Sequence, residues 1–152
     1  MNITRDVEFR TRLTLLSSEK GKYYFLGIGI DKYEHHKTLN NAVEDIKAVK
    51  NLLIEKYQFE SSPLIFLKDK AATRTEILHA LSIISKPLTE QDNLLIYYAG
   101  HGMLDEHNDG YLIPVEEKRE SRGLAIEFDT IKKFITNSRA RNVLFIADCC
   151  YA

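Results

Sequence analysis

The feature that most constrains the fold is a series of four short apolar segments separated by longer amphipathic ones. The apolar segments are YYFLGIGI, PLIFLKD, DNLLIYYAG and NVLFIAD, which begin at residues 23, 63, 92 and 142. Each has the length of one strand, and the lack of alternation in the first predicts a strand that is buried on both faces. Strands that alternate with helices run parallel, so the sequence predicts an α/β fold with a mostly parallel sheet between two helix layers.

Three segments between the apolar runs predict helices. They are NAVEDIKAVKNLLIEKY from residue 41, TRTEILHALSIIS from residue 73 and IEFDTIKKFITNS from residue 126. Thr73 and Glu76 have the spacing of a capping box at the start of the second helix. The pattern is weaker before the first strand, so we expect an N-terminal extension over 1–22 and one domain over 23–152.

Charge and hydropathy exclude several classes of partner. The chain of 152 residues holds 21 Lys and Arg against 22 Asp and Glu, with no long run of one sign. This balance indicates no nucleic-acid partner and no anionic membrane surface. The sequence also lacks a secretion signal and any apolar stretch of about 18 residues, so we expect a cytoplasmic protein whose two cysteines stay reduced.

Chemically active side chains follow the predicted strands. In open α/β sheets, functional groups gather beyond the carboxyl ends of the strands. Asp31 and Asp69 follow the first two strands, His101 follows the third, and the adjacent Cys149 and Cys150 follow the fourth. An imidazole that can take the proton of a nearby thiol provides the minimal machinery for acyl transfer, and on this argument either cysteine qualifies.

Two glycines flank the histidine. Gly102 would let a backbone N–H group approach a developing oxyanion, and Gly100 would let the chain turn sharply after the strand. Both interpretations fit a nucleophilic mechanism at the same rim of the sheet.

The motifs at this rim resemble those of a known family. YYAGHG, which contains His101, precedes DCCYA by about 50 residues, the separation known for the histidine and cysteine of caspases. The pair resembles the caspase-like cysteine peptidases of family C14, in the metacaspase and orthocaspase branch, and LNNAVED from Leu39 resembles the start of that family's first helix. The resemblance covers roughly 23–152 and implies a caspase-like (caspase-hemoglobinase) fold with cysteine endopeptidase activity on a protein or peptide substrate.

The resemblance assigns catalytic roles. It implies that Cys150, at the third position of D-x-C, is the nucleophile and that His101 acts either as a general base toward the thiol or as a general acid toward the leaving amine. The N–H groups of Gly102 and Cys150 would form the oxyanion hole. Cys149 would be a buried packing residue, because neighbouring residues of a strand face opposite sides.

The resemblance also assigns a substrate pocket. Asp45 and Asp148 match the acidic pocket of metacaspases, which implies cleavage after Arg or Lys. Ala99 replaces a serine that many relatives have, so the choice between Arg and Lys stays open. Asp45 has an alternative role as an ordinary acid in the first turn of a helix.

Two other motifs lack the spacing that their best-known ligands require. The GIGID segment lacks the third glycine of a dinucleotide loop, where Lys32 stands, and the adjacent cysteines lack the spacing of a zinc site. No cofactor and no metal site are implied, although an acidic region leaves calcium open; it comprises Asp105, Glu106, Asp109, Glu116 and Glu117. The remaining histidines are expected to be exposed or satisfied; they are His35, His36, His79 and His107.

In the family the chain continues beyond D-x-C into a small-subunit-like region that builds part of the pocket. We therefore expect 23–152 to be the large-subunit-like portion, truncated at its C-terminal end and completed by such a region or by a regulatory partner chain. The protein would be the protease module of a larger signalling or defence protein. The alternatives are a catalytically incomplete caspase-like scaffold and, more distantly, a thiol phosphatase.

Overall fold

A computed structural model of the protein describes residues 21–57, 59 and 64–149. The predicted extension over 1–22 lies almost wholly outside the described residues, as does Cys150. The strands are β1 Tyr23–Gly29, β2 Leu64–Lys68, β3 Asn93–Ala99, β4 Gly102–Leu104, β5 Gly110–Leu112, β6 Ile126–Glu127 and β7 Asn142–Asp148. The helices are α1 Ala42–Tyr57, α2 Arg74–Ser85 and α3 Phe128–Thr136, with a 3₁₀ turn at Asp69–Ala71.

Four strands form the central parallel sheet, in the order β2-β1-β3-β7. The register places Gly29 of β1 beside Ala99 of β3, and Ala99 beside Asp148 of β7. All four strands therefore end at one rim, and the predicted α/β class with a mostly parallel sheet is confirmed. Each of these strands was predicted within one or two residues of its observed bounds.

The two faces of the sheet carry separate hydrophobic cores. On one face, α1 inserts Ile46 and Leu53 against Phe25 and Tyr97 of the sheet. The other face holds the larger core, to which α2 and α3 contribute; its sheet residues include Leu26, Ile28, Ile96 and Tyr98, and its helix residues include Ile77, Leu81 and Ile131. Each such fully buried aliphatic side chain stabilises the fold by roughly 1.5–3 kcal/mol. Helices on both faces give the predicted three layers.

The helix starts are fixed by side chains that accept hydrogen bonds. Thr73 Oγ1 accepts from the N–H of Glu76 at 3.2 Å, which confirms the predicted N-cap of α2. The Asp31 carboxylate accepts from the N–H groups of Ala42 at 2.9 Å and Val43 at 3.2 Å, and so caps α1 from the end of β1. Asp69 Oδ1 in turn accepts from the N–H of Asp31 at 2.8 Å. These two aspartates at the rim stabilise the backbone.

The structure corrects two predictions of secondary structure. A small antiparallel sheet of β4, β5 and β6 follows β3, where no strand was predicted. Ile126 and Glu127 belong to this sheet, so the third helix begins at Phe128 and not at residue 126. Within 21–57 and 64–149 no helix is long and apolar enough to cross a membrane.

The last strand was predicted to be buried, and this prediction is wrong for one of its two faces. β7 is an edge strand whose burial alternates along its length, with Leu144 57% exposed and Ile146 38% exposed. These two side chains lie on the α1 side of the sheet, where α1 packs against β1 and β3. The other side of β7 packs on the larger core through Val143, Phe145 and Ala147.

Candidate active site

A cavity of about 520 Å³ opens at the rim where β3 and β7 end and α1 begins. Its lining includes three residues that the sequence predicted for the site, namely His101, Asp45 and Asp148. Ala99, Gly100 and the loop before α1 complete the wall. We call this the acidic cavity. Cys150, the predicted nucleophile, lies outside the described residues.

Two tyrosine hydroxyls hydrogen-bond the backbone of His101, one at its N–H group and one at its carbonyl oxygen. Its N–H donates to Tyr33 Oη at 2.7 Å, and its carbonyl oxygen accepts from Tyr98 Oη at 2.7 Å. The rings of Tyr33 and His101 also pack against each other, with centroids 4.7 Å apart. Tyr98 is fully buried and its hydroxyl lies 3.3 Å from that of Tyr33, so the histidine rests on a fixed polar network.

One ring nitrogen of His101 is also fixed. Nε2 lies 2.7 Å from the carbonyl oxygen of Lys37. A carbonyl oxygen can only accept, so Nε2 carries the proton in the neutral ring and Nδ1 is left as the acceptor. The imidazole is therefore arranged to take a proton at Nδ1.

The N–H group of Gly102 points away from its neighbouring strand. Ile113 N donates to His101 O at 3.1 Å, and antiparallel pairs alternate between hydrogen-bonded and non-hydrogen-bonded ones. The next pair, Gly102 with Leu112, is therefore the non-bonded one. The predicted role in an oxyanion hole needs an N–H group that points away from the sheet in this way, and that role stays a prediction.

Cys149 packs directly on Gly102. A Cβ atom at Gly102 would lie 2.7 Å from Cys149 Sγ and 3.2 Å from Cys149 Cβ, so the contact requires glycine. Cys149 is half-buried against the larger core, on the side of the sheet opposite Asp148 and Asp45. The alternation of strand side chains predicted this opposite orientation, although the burial is only partial.

The chain bends at Gly100 as predicted, but the bend does not depend on a left-handed backbone angle. No glycine among the described residues has a positive φ. A Cβ atom at Gly100 would instead lie 2.5 Å from Tyr33 Oη and 2.8 Å from Tyr98 Oη. Glycine is therefore needed so that the two hydroxyls can approach the backbone beside His101.

Tyr97 hydrogen-bonds one of the two aspartates of the acidic cavity, and sequence reasoning missed it. Its hydroxyl donates to Asp148 Oδ2 at 3.0 Å. Burial raises the pKa of Tyr97 to about 12, with further contributions from the hydrogen bond and charge of Asp148 and from the charge of Asp45. The negative charges of both carboxylates therefore act on this one buried hydroxyl. Tyr97 and Ala99 alternate with Tyr98 along β3, and this spacing alone could have placed Tyr97 on the face of the acidic cavity.

A second cavity of about 360 Å³ lies on the other side of His101. It is lined by His36, Lys37, His101, Gly102, Met103, Ile113 and Arg119. His36 was expected to be exposed or satisfied, but it is half-buried, and its Nε2 atom has no hydrogen-bond partner among the described residues. Burial lowers the pKa of His36, His101 and Arg119 lower it further, and Glu117 has a smaller opposite effect. His35, His79 and His107 are exposed, as predicted.

The acidic region considered for calcium is divided among separate structural roles. Asp105 Oδ1 accepts from the N–H groups of His107 at 2.8 Å and Asp109 at 2.9 Å, and so closes the β4–β5 turn. Glu116 Oε1 accepts from Arg74 N at 2.9 Å at the start of α2. Glu117 is buried and accepts from Ser121 Oγ and Leu124 N. The part of the chain that the structure describes contains no cluster of three or more metal-binding side chains.

A model of the caspase domain, peptidase family C14, matches residues 24–152. The chain belongs to the caspase-domain family. Metacaspase-1 from Plasmodium falciparum is 31% identical over 150 residues, which cover 88% of this chain and 24% of the relative. Metacaspase-1 from Eremothecium gossypii is 26% identical over 109 residues, covering 68% of this chain and 24% of the relative. The predicted resemblance to the metacaspase branch is confirmed, and the family is one of cysteine peptidases.

The caspase-like fold has a match among solved structures. Protein GSU0716 from Geobacter sulfurreducens superimposes with a TM-score of 0.68 at 21% identity, over 85% of this chain and 50% of that one. At this identity the likeness concerns the fold alone. The chain spans about a quarter of the length of the metacaspases it matches.

Proposed function

We propose that this domain, comprising 23–152, is the catalytic portion of a cysteine endopeptidase that cleaves after Arg or Lys through His101 and Cys150. The observation that carries the proposal is the acidic cavity, whose wall combines His101 with Asp45 and Asp148. A cavity with two carboxylates favours a guanidinium or ammonium group and disfavours an acidic side chain. The mechanism requires no cofactor.

In the proposed mechanism, His101 Nδ1 takes the proton of the Cys150 thiol, and the thiolate attacks the carbonyl carbon of the residue bound in the acidic cavity. The N–H groups of Gly102 and Cys150 stabilise the resulting oxyanion. His101 then gives the proton to the leaving amine as the C–N bond breaks. Water, deprotonated by His101, hydrolyses the thioester and regenerates the thiol. The fixed Nε2 proton of His101 supports this assignment of Nδ1.

The proposal includes a further segment or chain beside β7. Leu144 and Ile146 are apolar and exposed on the same side of the sheet as Asp148, next to the acidic cavity. A small-subunit-like region or a regulatory partner chain that covers them would also wall the cavity on that side. We place the protein in the cytoplasm, as the protease module of a larger signalling or defence protein.

A thiol-reactive peptide with Arg at its reactive end tests the nucleophile. The full-length protein should form a covalent adduct at Cys150, and mass spectrometry of the digested adduct should locate it there. Cys150→Ala should abolish both labelling and peptidase activity, while Cys149→Ala serves as the matched control and should retain both. An adduct on Cys149 alone would contradict the assignment, and the absence of any adduct would favour a scaffold.

A further inference from the structure

His101 separates two cavities whose walls carry opposite charge. Asp45 and Asp148 line only the acidic cavity, whereas Gly102 and Arg119 line only the second cavity. His101 and Lys37 lie in the wall of both. A peptide that crosses His101 from one cavity to the other therefore passes from an acidic wall to a basic one.

The second cavity offers two cations that suit a carboxylate. Arg119 is exposed, and within the described residues it takes part in no ion pair. Lys37 adds a second cation to the wall. A ligand carboxylate is the group that such a pair of cations binds best.

The carboxylate of Glu117 does not compete for these cations. Glu117 acts electrostatically on His36, but its side chain is buried and accepts from Ser121 Oγ and Leu124 N. It does not line the second cavity. Met103 and Ile113 complete the wall with apolar surface, which suits the methylene groups of an acidic side chain.

We propose that the second cavity binds the side chain that follows the scissile bond and that it selects Asp or Glu there. The inference rests on the proposed function, because that function places the preceding basic residue in the acidic cavity. The leaving nitrogen must then lie within reach of His101, which protonates it. The substrate peptide beyond that nitrogen then continues past His101 and Gly102, where the second cavity opens.

Internally quenched peptides test this preference on the full-length protein. All have Arg before the scissile bond, and the residue after it is Glu, Gln or Lys. We expect kcat/KM to be about fivefold higher for Glu than for its neutral isostere Gln, the size of an ion pair at a partly exposed site, and lowest for Lys. Equal values for Glu and Gln would overturn the inference.

Variants of Arg119 make the test specific to this cavity. Arg119→Gln should bring the Glu/Gln ratio close to one, and Arg119→Glu should invert the preference in favour of Lys. The ratio is taken within each protein, so any general change in activity cancels. Lys118→Gln removes a neighbouring exposed cation that does not line the cavity, and it should retain the wild-type ratio. A ratio that responds equally to both neutralisations would contradict a local subsite.

A coumarin amide of an Arg peptide separates this inference from the proposed function, since it has no residue after the scissile bond. Cleavage of the coumarin substrate without discrimination among the quenched peptides would refute only the second cavity's role. Failure to cleave any of these substrates would refute the proposed function and the subsite with it.

Discussion

The hydroxyl of Tyr97 donates a hydrogen bond to Oδ2 of Asp148 at 3.0 Å, and this bond fixes one carboxylate at the edge of the acidic cavity. Asp148 itself is exposed at the end of β7, and among the described residues its side chain makes no other hydrogen bond than this one. Tyr97 is buried beneath α1 and forms a rigid support. The orientation of the proposed pocket thus depends on a residue that does not line the cavity.

Replacement of this support should weaken selectivity. Tyr97→Phe removes the hydroxyl and frees the Asp148 side chain, so we expect the ratio of kcat/KM for Arg over Ala before the scissile bond to fall about three- to tenfold, the size of one hydrogen bond. Tyr111→Phe is the matched control, because it removes another Tyr–Asp bond, to Asp105 Oδ2 at 3.1 Å, outside the cavity. An unchanged ratio in Tyr97→Phe would contradict a supporting role.

Because Gly102 and Cys149 are in contact, the effects of substituting them on the free energy of unfolding should not be additive. Gly102→Ala places a methyl group 2.7 Å from Cys149 Sγ, so we expect a loss of roughly 1–3 kcal/mol in the free energy of unfolding. Cys149→Gly removes both clashing atoms, and Gly102→Ala should cost clearly less in that background. Denaturant unfolding of the two single variants and the double variant measures the coupling.

Gly123→Ala is the control for this comparison of single and double variants. The nearest atom to a Cβ at Gly123 is Ser121 Oγ at 3.9 Å, so this substitution should change stability by less than about 0.5 kcal/mol. Strictly additive effects of the Gly102 and Cys149 substitutions would show that the two residues are not in contact.

Stability should fall in alkaline solution because of Tyr33. Burial raises the pKa of Tyr33 to about 12, whereas an unfolded tyrosine titrates near its ordinary value of about 10. Between these values the unfolded chain has lost a proton that the native protein retains, so the free energy of unfolding decreases as pH rises. One such group contributes at most about 1.4 kcal/mol per pH unit.

Urea unfolding across pH 9 to 12 checks this dependence. Tyr33→Phe should show a shallower decline than wild type, although it is less stable at every pH because the His101 N–H loses its acceptor. Tyr57→Phe, at a tyrosine that is 59% exposed, should follow the wild-type slope. Identical slopes for wild type and Tyr33→Phe would refute the role of Tyr33.

The tautomer of His101 can be observed directly. With Nε2 donating to the carbonyl oxygen of Lys37, the neutral ring should show a protonated Nε2 and a bare Nδ1 in long-range ¹H–¹⁵N spectra. His107, which is exposed, provides an internal reference for a solvated ring. A proton on Nδ1 of neutral His101 would leave no base for the Cys150 thiol and would contradict the mechanism.

Local sequence patterns predicted the parts of the fold that depend on local physics. The four apolar runs became β1, β2, β3 and β7, because buried parallel strands and amphipathic helices have distinct periodicities. The short strands β4, β5 and β6 were missed, since segments of two or three residues carry no measurable period. The exposed face of β7 was missed because an apolar run does not tell how many of its faces are covered.

The sequence predicted those residues of the site that lie at the ends of the parallel strands. His101 and Asp148 follow β3 and β7 at one rim, and Asp45 was placed there through its helix motif. Tyr97 and His36 were missed because their roles depend on partners distant in sequence. The hydroxyl of Tyr97 meets a carboxylate 51 residues away, and no pattern within β3 reveals that contact.

The most direct test of the central claim is a panel of fluorogenic peptides that differ only in the residue before the scissile bond, assayed on the full-length protein and on Asp45→Asn. The account predicts efficient cleavage after Arg or Lys, little after Ala and none after Asp. Asp45→Asn should lose roughly ten- to hundredfold in kcat/KM for Arg, because one charged partner of the bound cation is gone. Efficient cleavage after Asp, or equal cleavage after Arg and Ala, would contradict the acidic pocket and with it the proposed specificity.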